Sequence, residues 1–267
     1  MIVDFHSHTC ESDGTLRPAE LVAAMRKRGV SIFSITDHDT LQAYESIGDI
    51  DGARIVPGIE INTTWRGGEV HILGYGLPLD ESPLTATLEK NRTERRSRVE
   101  RMVAGLSKAG YAITYADVVA ESGGGDSLGR PHVAKALVRA KFVKDVSSAF
   151  RSLLARGGPG YEPSLYITPY EAIDVIARSG GVPVLAHPGR LKDDAIIDDL
   201  AMRGLQGIEV FYGTHTPSQV ARYRGFAKRH GLVMTAGSDF HDIRWNVKGV
   251  GMDVDEDDLR PFLELVA

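Results

Sequence analysis

The sequence predicts an α/β fold, a β/α barrel interrupted by one helical insertion. Short runs of apolar and β-branched residues alternate with amphipathic helical segments along most of the 267 residues, which is the pattern of a β/α barrel. The alternation stops between about residues 84 and 163, where helical segments follow one another without a convincing strand. With 42% hydrophobic and 25% charged residues, the composition supports a large folded core and excludes a disordered chain.

The predicted barrel consists of a series of short strands with well-marked helices between them. The helix at residues 18–28 has a proline in its first turn and ends at Gly29, and the helix at residues 216–230 ends at Gly231. Glycine is favoured directly after a helix because it adopts the left-handed conformation without strain. In chain order, the predicted strands are residues 2–6, 31–36, 54–60, 69–75, 182–187, 207–211 and 232–238.

The interruption predicts a helical domain inserted into the barrel. We expect the barrel to comprise residues 1–83 and 164–267, and residues 84–163 to form an insertion that covers the active site. Two glycine-rich joints, residues 122–126 and 157–160, would let this insertion move over the site. The predicted helices of the insertion are residues 84–108, 115–121, 131–140 and 144–155.

Composition and charge exclude several classes of protein. The single cysteine, Cys10, rules out an internal disulfide and a cysteine-based zinc cluster, so a metal site must use histidine and carboxylate. A formal net charge of −5 argues against sequence-independent binding to double-stranded DNA. No apolar run approaches the roughly 18 residues of a membrane helix, so we expect no membrane partner. The first residues lack the basic and apolar regions of a secretory signal, and we expect a cytoplasmic protein.

Histidines and carboxylates recur where the predicted strands end. Six of the nine histidines lie at or just after a strand end, which is where β/α barrels place their chemistry. His6 and His8 are two residues apart, so an extended chain directs both imidazoles to the same side. A single histidine on a strand is more often structural, but this recurrence predicts a shared metal site. Its candidate ligands are His6, His8, Asp13, His38, Glu60, His71, His187, Asp239 and His241.

The motifs around these residues resemble those of a known family. In chain order the sequence contains FHSHT at residues 5–9, TDH at 36–38, GIE at 58–60, AHP at 186–188 and GSDFH at 237–241. Together they resemble the motifs of the polymerase and histidinol phosphatase (PHP) family. The resemblance implies a distorted (β/α)7 barrel with three divalent metal ions at the C-terminal strand ends, usually Mn2+, with iron or zinc as alternatives. It implies a first ion held by His6, His8, Glu60 and Asp239, a second by Glu60, His71 and His187, and a third by Asp13, His38 and His241.

The resemblance also implies a reaction. The segment Gly129–His132 and the insertion after the fourth strand are similar to bacterial 3′,5′-nucleoside bisphosphate phosphatases, which convert adenosine 3′,5′-bisphosphate to AMP and phosphate. Close relatives hydrolyse the 5′ ends of short RNAs, so the implied substrate is a nucleotide or a short RNA. Glu60, Asp239 and His241 would be catalytic residues at the metal centre. Two alternatives are a phosphatase of histidinol phosphate or another small phosphomonoester, and an inactive PHP module that binds metal and partners without turnover.

Residues in the insertion are candidates for substrate contacts. Pro131 opens a predicted helix, so Arg130, His132 and the backbone amides could converge on an anion at the helix N-terminus. Lys135, one turn further along this helix, is a weaker candidate. Alternatively, Arg130 pairs with a surface carboxylate and His132 caps its own helix.

Further candidates lie near the strand ends of the barrel. Arg190 follows a candidate ligand closely in the chain and could reach the same substrate. His215 follows a strand end and could contact substrate or act as the acid that protonates the leaving group. Asp4, Asp37 and Asp39 stand beside candidate ligands, where a carboxylate often orients an imidazole instead of binding the metal, and we leave their roles open.

A basic segment at residues 90–101 raises the question of RNA binding. It contains six lysines and arginines, which is typical of a helix that contacts a nucleic-acid backbone. Glu89, Glu94 and Glu100 interleave with these residues at helical spacing, so we favour a solvated face with ion pairs along the helix. Contact with short oligonucleotides is the alternative.

Overall fold

The strands of the protein gather in two sheets of a mixed α/β fold. The computed structural model describes residues 1–47, 50, 52–80, 82–191, 193–244 and 246–267. The first sheet has the order β3-β2-β1-β9, with β1 (Ile2–Asp4), β2 (Ile32–Phe33), β3 (Arg54–Ile55) and β9 (Met252–Asp253). The second sheet runs in chain order, with β4 (Gly58–Trp65), β5 (Gly68–Tyr75), β6 (Val182–Leu185), β7 (Gly207–Tyr212) and β8 (Val233–Gly237).

Both sheets contain antiparallel pairs, which a regular β/α barrel lacks. β4 and β5 pair antiparallel along their whole length because only Arg66 and Gly67 connect them. Both connecting residues have a positive φ, 47° and 72°, as a tight hairpin turn requires. Parallel neighbours need a longer crossover, and they are found from β1 to β3 and from β6 to β8.

The two sheets meet at two single bridges. Ser7 pairs with Phe240 beyond the ends of β1 and β8, and His38 pairs with Glu60 beyond the end of β2. Among the residues that the structure describes, these contacts do not form a closed barrel. The α/β class is therefore confirmed, whereas the (β/α)7 barrel stays a prediction.

The boundaries of the predicted strands need one correction. The run at residues 54–60 is two strands, β3 and β4, which belong to different sheets. The break includes Pro57, which has no N–H to donate to a strand ladder. The other predicted strands are present: β1, β2, β6 and β8 are shorter than predicted, and β5 and β7 are each one residue longer. β9 is an additional strand that the pattern did not predict.

The described part of the chain contains nine α-helices. They are α1 (Pro18–Arg28), α2 (Pro83–Lys108), α3 (Tyr115–Val119), α4 (Arg130–Arg139), α5 (Val146–Arg151), α6 (Pro169–Arg178), α7 (Ala195–Met202), α8 (Pro217–His230) and α9 (Glu256–Leu265). The predicted ends at Gly29 and Gly231 are confirmed, since both glycines are left-handed caps with φ of 77° and 64°. None of these helices has both the length and the apolar surface needed to cross a membrane. The cytoplasmic location stays a prediction.

The helices between residues 84 and 163 pack around a hydrophobic cluster of their own. This cluster includes Val99 and Leu106 of α2 and Leu137 of α4. The largest cluster lies between the second sheet and helices α6 to α8, and it also contains Leu84 and Leu88 from the start of α2. Helix α2 therefore contributes to both clusters, and the domain boundaries at residues 83 and 163 stay a prediction.

Candidate metal centre

Backbone pairing beyond the strand ends brings the predicted ligands together. The amide of Asp239, after β8, donates to the carbonyl of His6, after β1, at 2.8 Å. The amide of Asp39, after β2, donates to the carbonyl of Glu60 on β4 at 3.0 Å. These hydrogen bonds hold segments of both sheets side by side, so side chains from distant parts of the sequence meet at one edge.

One set of ligands is completely enclosed. Nε2 of His6 lies 3.2 Å from Oε2 of Glu60 and 3.4 Å from Oδ1 of Asp239. Nε2 of His8 lies 3.1 and 3.3 Å from the same two oxygens. Both imidazoles are fully buried, and within the described residues neither Nε2 makes a hydrogen bond. Two such nitrogens facing two carboxylate oxygens fit a divalent cation.

A second set surrounds Asp13. Nε2 of His241 lies 3.2 Å from Oδ1 of Asp13, and Nε2 of His38 lies 3.7 Å from its Oδ2. Nδ1 of His8 lies 3.8 Å from the same carboxylate, so His8 joins the three residues predicted for this set. The two ring nitrogens of His8 therefore face two different sets.

Glu60 connects the remaining ligands through both carboxylate oxygens. Oε1 lies 2.8 Å from Nδ1 of His71 and 2.9 Å from Nε2 of His187. Oε2, which also faces the first set, lies 3.2 Å from Nδ1 of His38. The ligand atoms of His38, Glu60 and His71 lie within 4.8 Å of one another, and His187 contacts Glu60 outside that group. All nine predicted ligands thus form one cluster, and their division among ions stays a prediction.

Neighbouring imidazoles keep the buried carboxylates ionised. Burial alone would raise the pKa of Asp239, but His6 and His241 hold that pKa well below its usual value. The pKa of Glu60 is lowered in the same way, since His38 and His6 outweigh the effect of burial. Because a carboxylate binds a cation in its ionised form, this cluster is suited to metal binding.

The ligand cluster opens into a cavity of about 280 Å³, which we call the metal cavity. Seven of the nine predicted ligands line it, together with four arginines and two aromatic side chains. A cavity of about 400 Å³ beside Tyr44 and Leu84 is larger but contains none of the predicted ligands. These arginines and aromatic residues are Arg95, Arg98, Arg130, Arg190, Phe150 and Tyr166.

Comparison with known proteins identifies the family of this site. No family model matches the chain. The chain is 33% identical over 247 residues to the 3′,5′-nucleoside bisphosphate phosphatase of Chromobacterium violaceum, covering 90% of this chain and 87% of the relative. A metal-dependent phosphoesterase from Bifidobacterium adolescentis superimposes with a TM-score of 0.87 at 33% identity, covering 98% of this chain and 95% of the other. The chain belongs to the PHP family.

Other relatives at similar identity have different names. The 5′-3′ exoribonuclease Rnm of Escherichia coli is 35% identical over 254 residues, covering 90% of this chain and 85% of the relative. The phosphoribosyl 1,2-cyclic phosphate 1,2-diphosphodiesterase of Eggerthella lenta is 33% identical over 264 residues, covering 95% of this chain and 99% of the relative. The reaction common to these names is hydrolysis of a phosphate ester. This PHP protein is therefore a metal-dependent phosphoesterase.

Glu209 is a residue of the PHP site that the sequence analysis missed. It lies on β7, is fully buried, and places Oε1 3.0 Å from Nδ1 of His6. Its Oε2 accepts the backbone amide of His187 at 2.7 Å. By engaging Nδ1, Glu209 directs Nε2 of His6 toward the ligand cluster. A lone carboxylate in an otherwise apolar strand is the sequence signal that could have identified it.

The carboxylates whose roles were left open hold the loops of the PHP site. Asp4 accepts hydrogen bonds from the amide and the hydroxyl of Ser238, at 2.9 and 2.7 Å. Asp37 accepts them from the amide and the hydroxyl of Thr9, at 2.8 and 2.6 Å. Asp39, which has a positive φ of 56°, is held by side chains of β4 and α2. These carboxylates therefore fix the segments from which the ligands project.

Arg130 and Arg190 both line the metal cavity. Nη2 of Arg130 lies 2.8 Å from Oε2 of Glu69, and Nη2 of Arg190 lies 3.0 Å from Oδ2 of Asp239. A guanidinium has five N–H donors, so these pairs leave others for a substrate. Arg130 therefore forms an ion pair with a carboxylate, as the alternative predicted, and it also lines the metal cavity. Binding of substrate by either residue stays a prediction.

Glu69 links two arginines in the metal cavity, and the sequence analysis missed this residue. It pairs with Arg98 at 2.7 Å and with Arg130 at 2.8 Å. Burial alone would raise the pKa of Glu69, but Arg130 and Arg98 lower it to about 2. Glu69 precedes His71 by two residues on β5, and the alternation of a strand places both on one face.

His132 and Lys135 are not among the described residues that line the metal cavity, and their contact with substrate stays a prediction. His132 is 1% exposed, and its Nδ1 accepts the amide of Gly129 at 3.0 Å. It therefore caps its own helix, the alternative that the sequence left open, and burial lowers its pKa to about 4. The ammonium of Lys135 lies 3.5 Å from the backbone carbonyl of Asp13, which it reaches instead of the cavity.

Backbone groups contact both ring nitrogens of His215. Its Nδ1 lies 2.9 Å from the carbonyl of Val210, and its Nε2 accepts the amide of Gly189 at 3.1 Å. These contacts favour a structural role, and the role as an acid for the leaving group stays a prediction. The imidazole holds the turn Pro188–Arg190, which positions Arg190.

The predicted solvated face of residues 90–101 is wrong for two arginines. Arg95 is buried, with Nη1 3.2 Å from Oδ2 of Asp39 and Nε donating to the carbonyl of Leu128 at 2.7 Å. Arg98 is buried against Glu69 and donates to the carbonyl of Glu162. The buried face of α2 includes residues 84, 88, 91, 95, 98 and 102, which recur at helical spacing. This spacing could have identified Arg95 and Arg98 as buried. The predicted ion pairs along the helix are found between Glu89 and both Arg92 and Arg96 and between Glu94 and Arg101.

Proposed function

We propose that the enzyme removes the 3′-phosphate of nucleoside 3′,5′-bisphosphates and converts adenosine 3′,5′-bisphosphate to AMP and phosphate. The observation that carries the proposal is a single cavity lined by the ligand cluster and by the guanidinium groups of Arg130 and Arg190. A bisphosphate has two anionic groups, one for the ligand cluster and one for an arginine. The similarity to a bisphosphate phosphatase over 90% of the chain supports this choice.

A second proposed activity is hydrolysis at the 5′ end of short oligoribonucleotides. The first nucleotide of a 5′-phosphorylated RNA has the same 5′-phosphate and the same 3′-ester as a nucleoside bisphosphate. A cavity that binds the one can therefore bind the other. The similarity to the exoribonuclease Rnm supports this extension.

We propose that the ligand cluster holds three divalent ions, with Mn2+ first and iron or zinc as alternatives. Imidazole and carboxylate donors accept all of these metals. Bound ions would supply the positive charge and the acidic water that hydrolysis of a phosphate ester requires. The proposed ligands are His6, His8, Glu60 and Asp239 for one ion, Glu60, His71 and His187 for another, and Asp13, His38 and His241 for the last.

The side chains around the cluster have proposed roles in orienting the substrate. Arg190 lies at the ligand cluster through its pair with Asp239, so it donates to the phosphoryl group that is removed. Tyr212 donates to Oδ2 of Asp239 at 2.8 Å and keeps that carboxylate in place. Arg130, held by Glu69, binds the 5′-phosphate. The reaction adds a water oxygen to phosphorus, breaks the bond from phosphorus to O3′, and leaves the proton on O3′.

We propose that residues 84–163 form an insertion domain that covers this site. Arg95, Arg98, Arg130 and Phe150 reach the metal cavity from these residues, and the segment has a hydrophobic cluster of its own. Limited proteolysis with and without adenosine 3′,5′-bisphosphate tests the proposal. We expect the nucleotide to protect the joint at residues 122–126.

Two rival functions differ in the chemistry they need. A histidinol phosphate phosphatase needs an acidic wall for the substrate amine. The acid nearest the arginines, Glu69, is already paired with Arg98 and Arg130, which favours an anionic substrate. An inactive module does not need nine converging ligands, so the complete cluster favours turnover.

The first experiment measures phosphate release by Mn2+-reconstituted protein. The substrates are adenosine 3′,5′-bisphosphate, AMP, adenosine 3′-monophosphate and histidinol phosphate, with Asp239→Ala as the blank. An assay on ribose 1,2-cyclic phosphate 5-phosphate is run in parallel, because the relative from Eggerthella lenta is named as a diphosphodiesterase of phosphoribosyl 1,2-cyclic phosphate. We expect the bisphosphate to be preferred and AMP to accumulate. Preference for any other substrate would overturn the proposal.

Arg130→Ala tests the 5′-phosphate contact. We expect it to raise KM for the bisphosphate by roughly tenfold or more, since a charge-assisted contact is lost, and to leave adenosine 3′-monophosphate hydrolysis nearly unchanged. Arg96→Ala is the matched control, because Arg96 is an exposed arginine that pairs with Glu89 outside the cavity. Equal losses on both substrates would place Arg130 in a purely structural role.

A further inference from the structure

A second cavity of about 220 Å³ adjoins the metal cavity, because Glu69 and Arg190 line both. We call it the side cavity. Its other walls include Trp65 and Arg66 from the β4–β5 hairpin and Arg156 from the segment between α5 and α6. A molecule bound at the ligand cluster can therefore extend past Arg190 into the side cavity.

The walls of the side cavity combine an aromatic ring with arginines. The guanidinium of Arg66 lies 4.3 Å from the centre of the Trp65 ring, whose Nε1 donates to the hydroxyl of Tyr170 at 3.2 Å. This hydrogen bond fixes the orientation of the ring. Arg156 is exposed, and across the described ranges of the chain neither it nor Arg66 forms an ion pair. An oriented ring beside unpaired guanidinium groups is the surface that single-stranded nucleic acids bind.

Three arginines and two acids line the side cavity, so the arginines outnumber the acids. Glu69 already pairs with Arg98 and Arg130, which line the metal cavity, so these arginines compensate its negative charge. Asp193 is the other acid of the wall. The side cavity therefore favours an anion that also presents a flat ring.

Hydrolysis of a bisphosphate and of a 5′-phosphorylated oligoribonucleotide breaks the same bond. In both, a water oxygen bonds to phosphorus, the bond from phosphorus to O3′ breaks, and O3′ takes up a proton that the water gives up. The products are a nucleoside 5′-monophosphate and either phosphate or a shortened RNA with a new 5′-phosphate. Only the oligonucleotide carries a second nucleoside on the phosphoryl group, so only the oligonucleotide needs space beside the ligand cluster.

We propose that the side cavity binds this second nucleotide, with its base against Trp65 and Arg66 and its next phosphate at Arg156. The inference rests on the proposed function, which puts the phosphoryl group at the ligand cluster. Stacking on an aromatic ring accepts every base, so the side cavity selects oligonucleotides without selecting a sequence.

The test compares adenosine 3′,5′-bisphosphate with the 5′-phosphorylated trinucleotide pApApA, whose second nucleotide carries a further phosphate, in the first cleavage by Mn2+-reconstituted protein. Trp65→Leu and Arg156→Gln should each lower kcat/KM for pApApA by roughly tenfold and leave that for the bisphosphate within about twofold. Arg156→Gln should also reduce the salt dependence of pApApA hydrolysis. Because Trp65 packs against the core, the exposed Arg156 keeps the test valid if Trp65→Leu is unstable. Arg151→Gln is the matched control, since it removes a charge from an exposed position outside both cavities.

Each outcome separates the side cavity from the proposed function. If the variants lose equal activity on both substrates, or none on pApApA, the side cavity is not the site of the second nucleotide. If wild-type protein hydrolyses the bisphosphate but not pApApA, the side-cavity proposal fails and the bisphosphatase proposal stands. If wild-type protein hydrolyses pApApA but not the bisphosphate, the bisphosphatase activity fails and the variants still decide the site of the second nucleotide. If it hydrolyses neither substrate, both proposals fail.

Discussion

On the ligand side of the metal cavity, His6, Glu60 and Asp239 project from strands or from the segments that follow them, where backbone hydrogen bonds join the two sheets. On the arginine side, Arg98 and Arg130 project from helices, and the side chain of Glu69 holds them. The ligand side is almost entirely buried, whereas the side chain of Arg130 is 35% exposed. The difference teaches that the pairing of strands fixes the ligand cluster, whereas the proposed substrate contacts depend on side chains that can change singly.

The largest expected effect is on the ligand side. Asp239→Asn removes a charge that faces His6 and His8, so metal content should fall together with activity on every substrate. We expect a loss of more than about 100-fold in kcat, the upper range for changes outside the ligands themselves. Metal analysis of the purified variant and phosphate release at saturating Mn2+ measure it. Retention of activity on one substrate alone would contradict the division between the two sides.

On the arginine side, His132→Asn tests how helix α4 is anchored. The folded pKa of His132 is about 4, below its usual 6.5, so the unfolded chain binds the proton more tightly. His132 therefore destabilises the protein as the pH falls from about 6.5 to 4, by up to roughly 3 kcal/mol. Urea unfolding should show that the free energy of unfolding falls less between pH 7 and pH 5 for His132→Asn than for wild-type protein. Equal losses would show that His132 is already charged at pH 7 or titrates normally.

Glu209→Gln tests the support behind the ligand side. The substitution keeps the shape of the side chain but weakens the hydrogen bonds to Nδ1 of His6 and to the amide of His187. We expect metal affinity or activity to fall roughly 10- to 100-fold, equally for all substrates. Titration of the metal-free protein with Mn2+ gives the affinity. If the variant instead changes the ratio of the activities on different substrates, Glu209 acts in substrate recognition and not in support of the ligands.

The smallest expected effect is that of His215→Gln. If His215 positions the turn of Arg190, we expect a loss of only a few fold in kcat, and the pH dependence of kcat should keep its shape. An acid for the leaving group would instead cost about 10²- to 10⁴-fold and remove the alkaline limb of the profile. The pH profile of kcat for wild-type and variant protein distinguishes the two roles.

The ligand cluster was predictable because its information is local. The motifs that carry His6, His38 and Asp239 each follow a short apolar run, and strand ends at one edge must meet if the strands pair. The helix ends were predictable for the same reason, since proline and glycine act through their own backbone at Gly29 and Gly231.

What the sequence did not reveal depends on contacts between distant residues. Arg95 and Arg98 look like members of an exposed basic helix, and only the packing of α2 shows which arginines turn inward. Glu69 and Glu209 sit on apolar strands, where a carboxylate is acceptable only because of a partner far away in the chain. His215 has a residue type suited to acid catalysis, yet its backbone neighbours occupy both ring nitrogens.

Arg95 has a consequence for how the two sides communicate. It donates at once to Asp39, the neighbour of the ligand His38, and to the carbonyl of Leu128, two residues before Arg130. A shift in either loop is therefore transmitted through one buried guanidinium. Binding of metal ions to the ligand cluster should therefore raise the affinity for the 5′-phosphate proposed at Arg130. By thermodynamic reciprocity, binding of that phosphate should raise the affinity for the ions by the same factor.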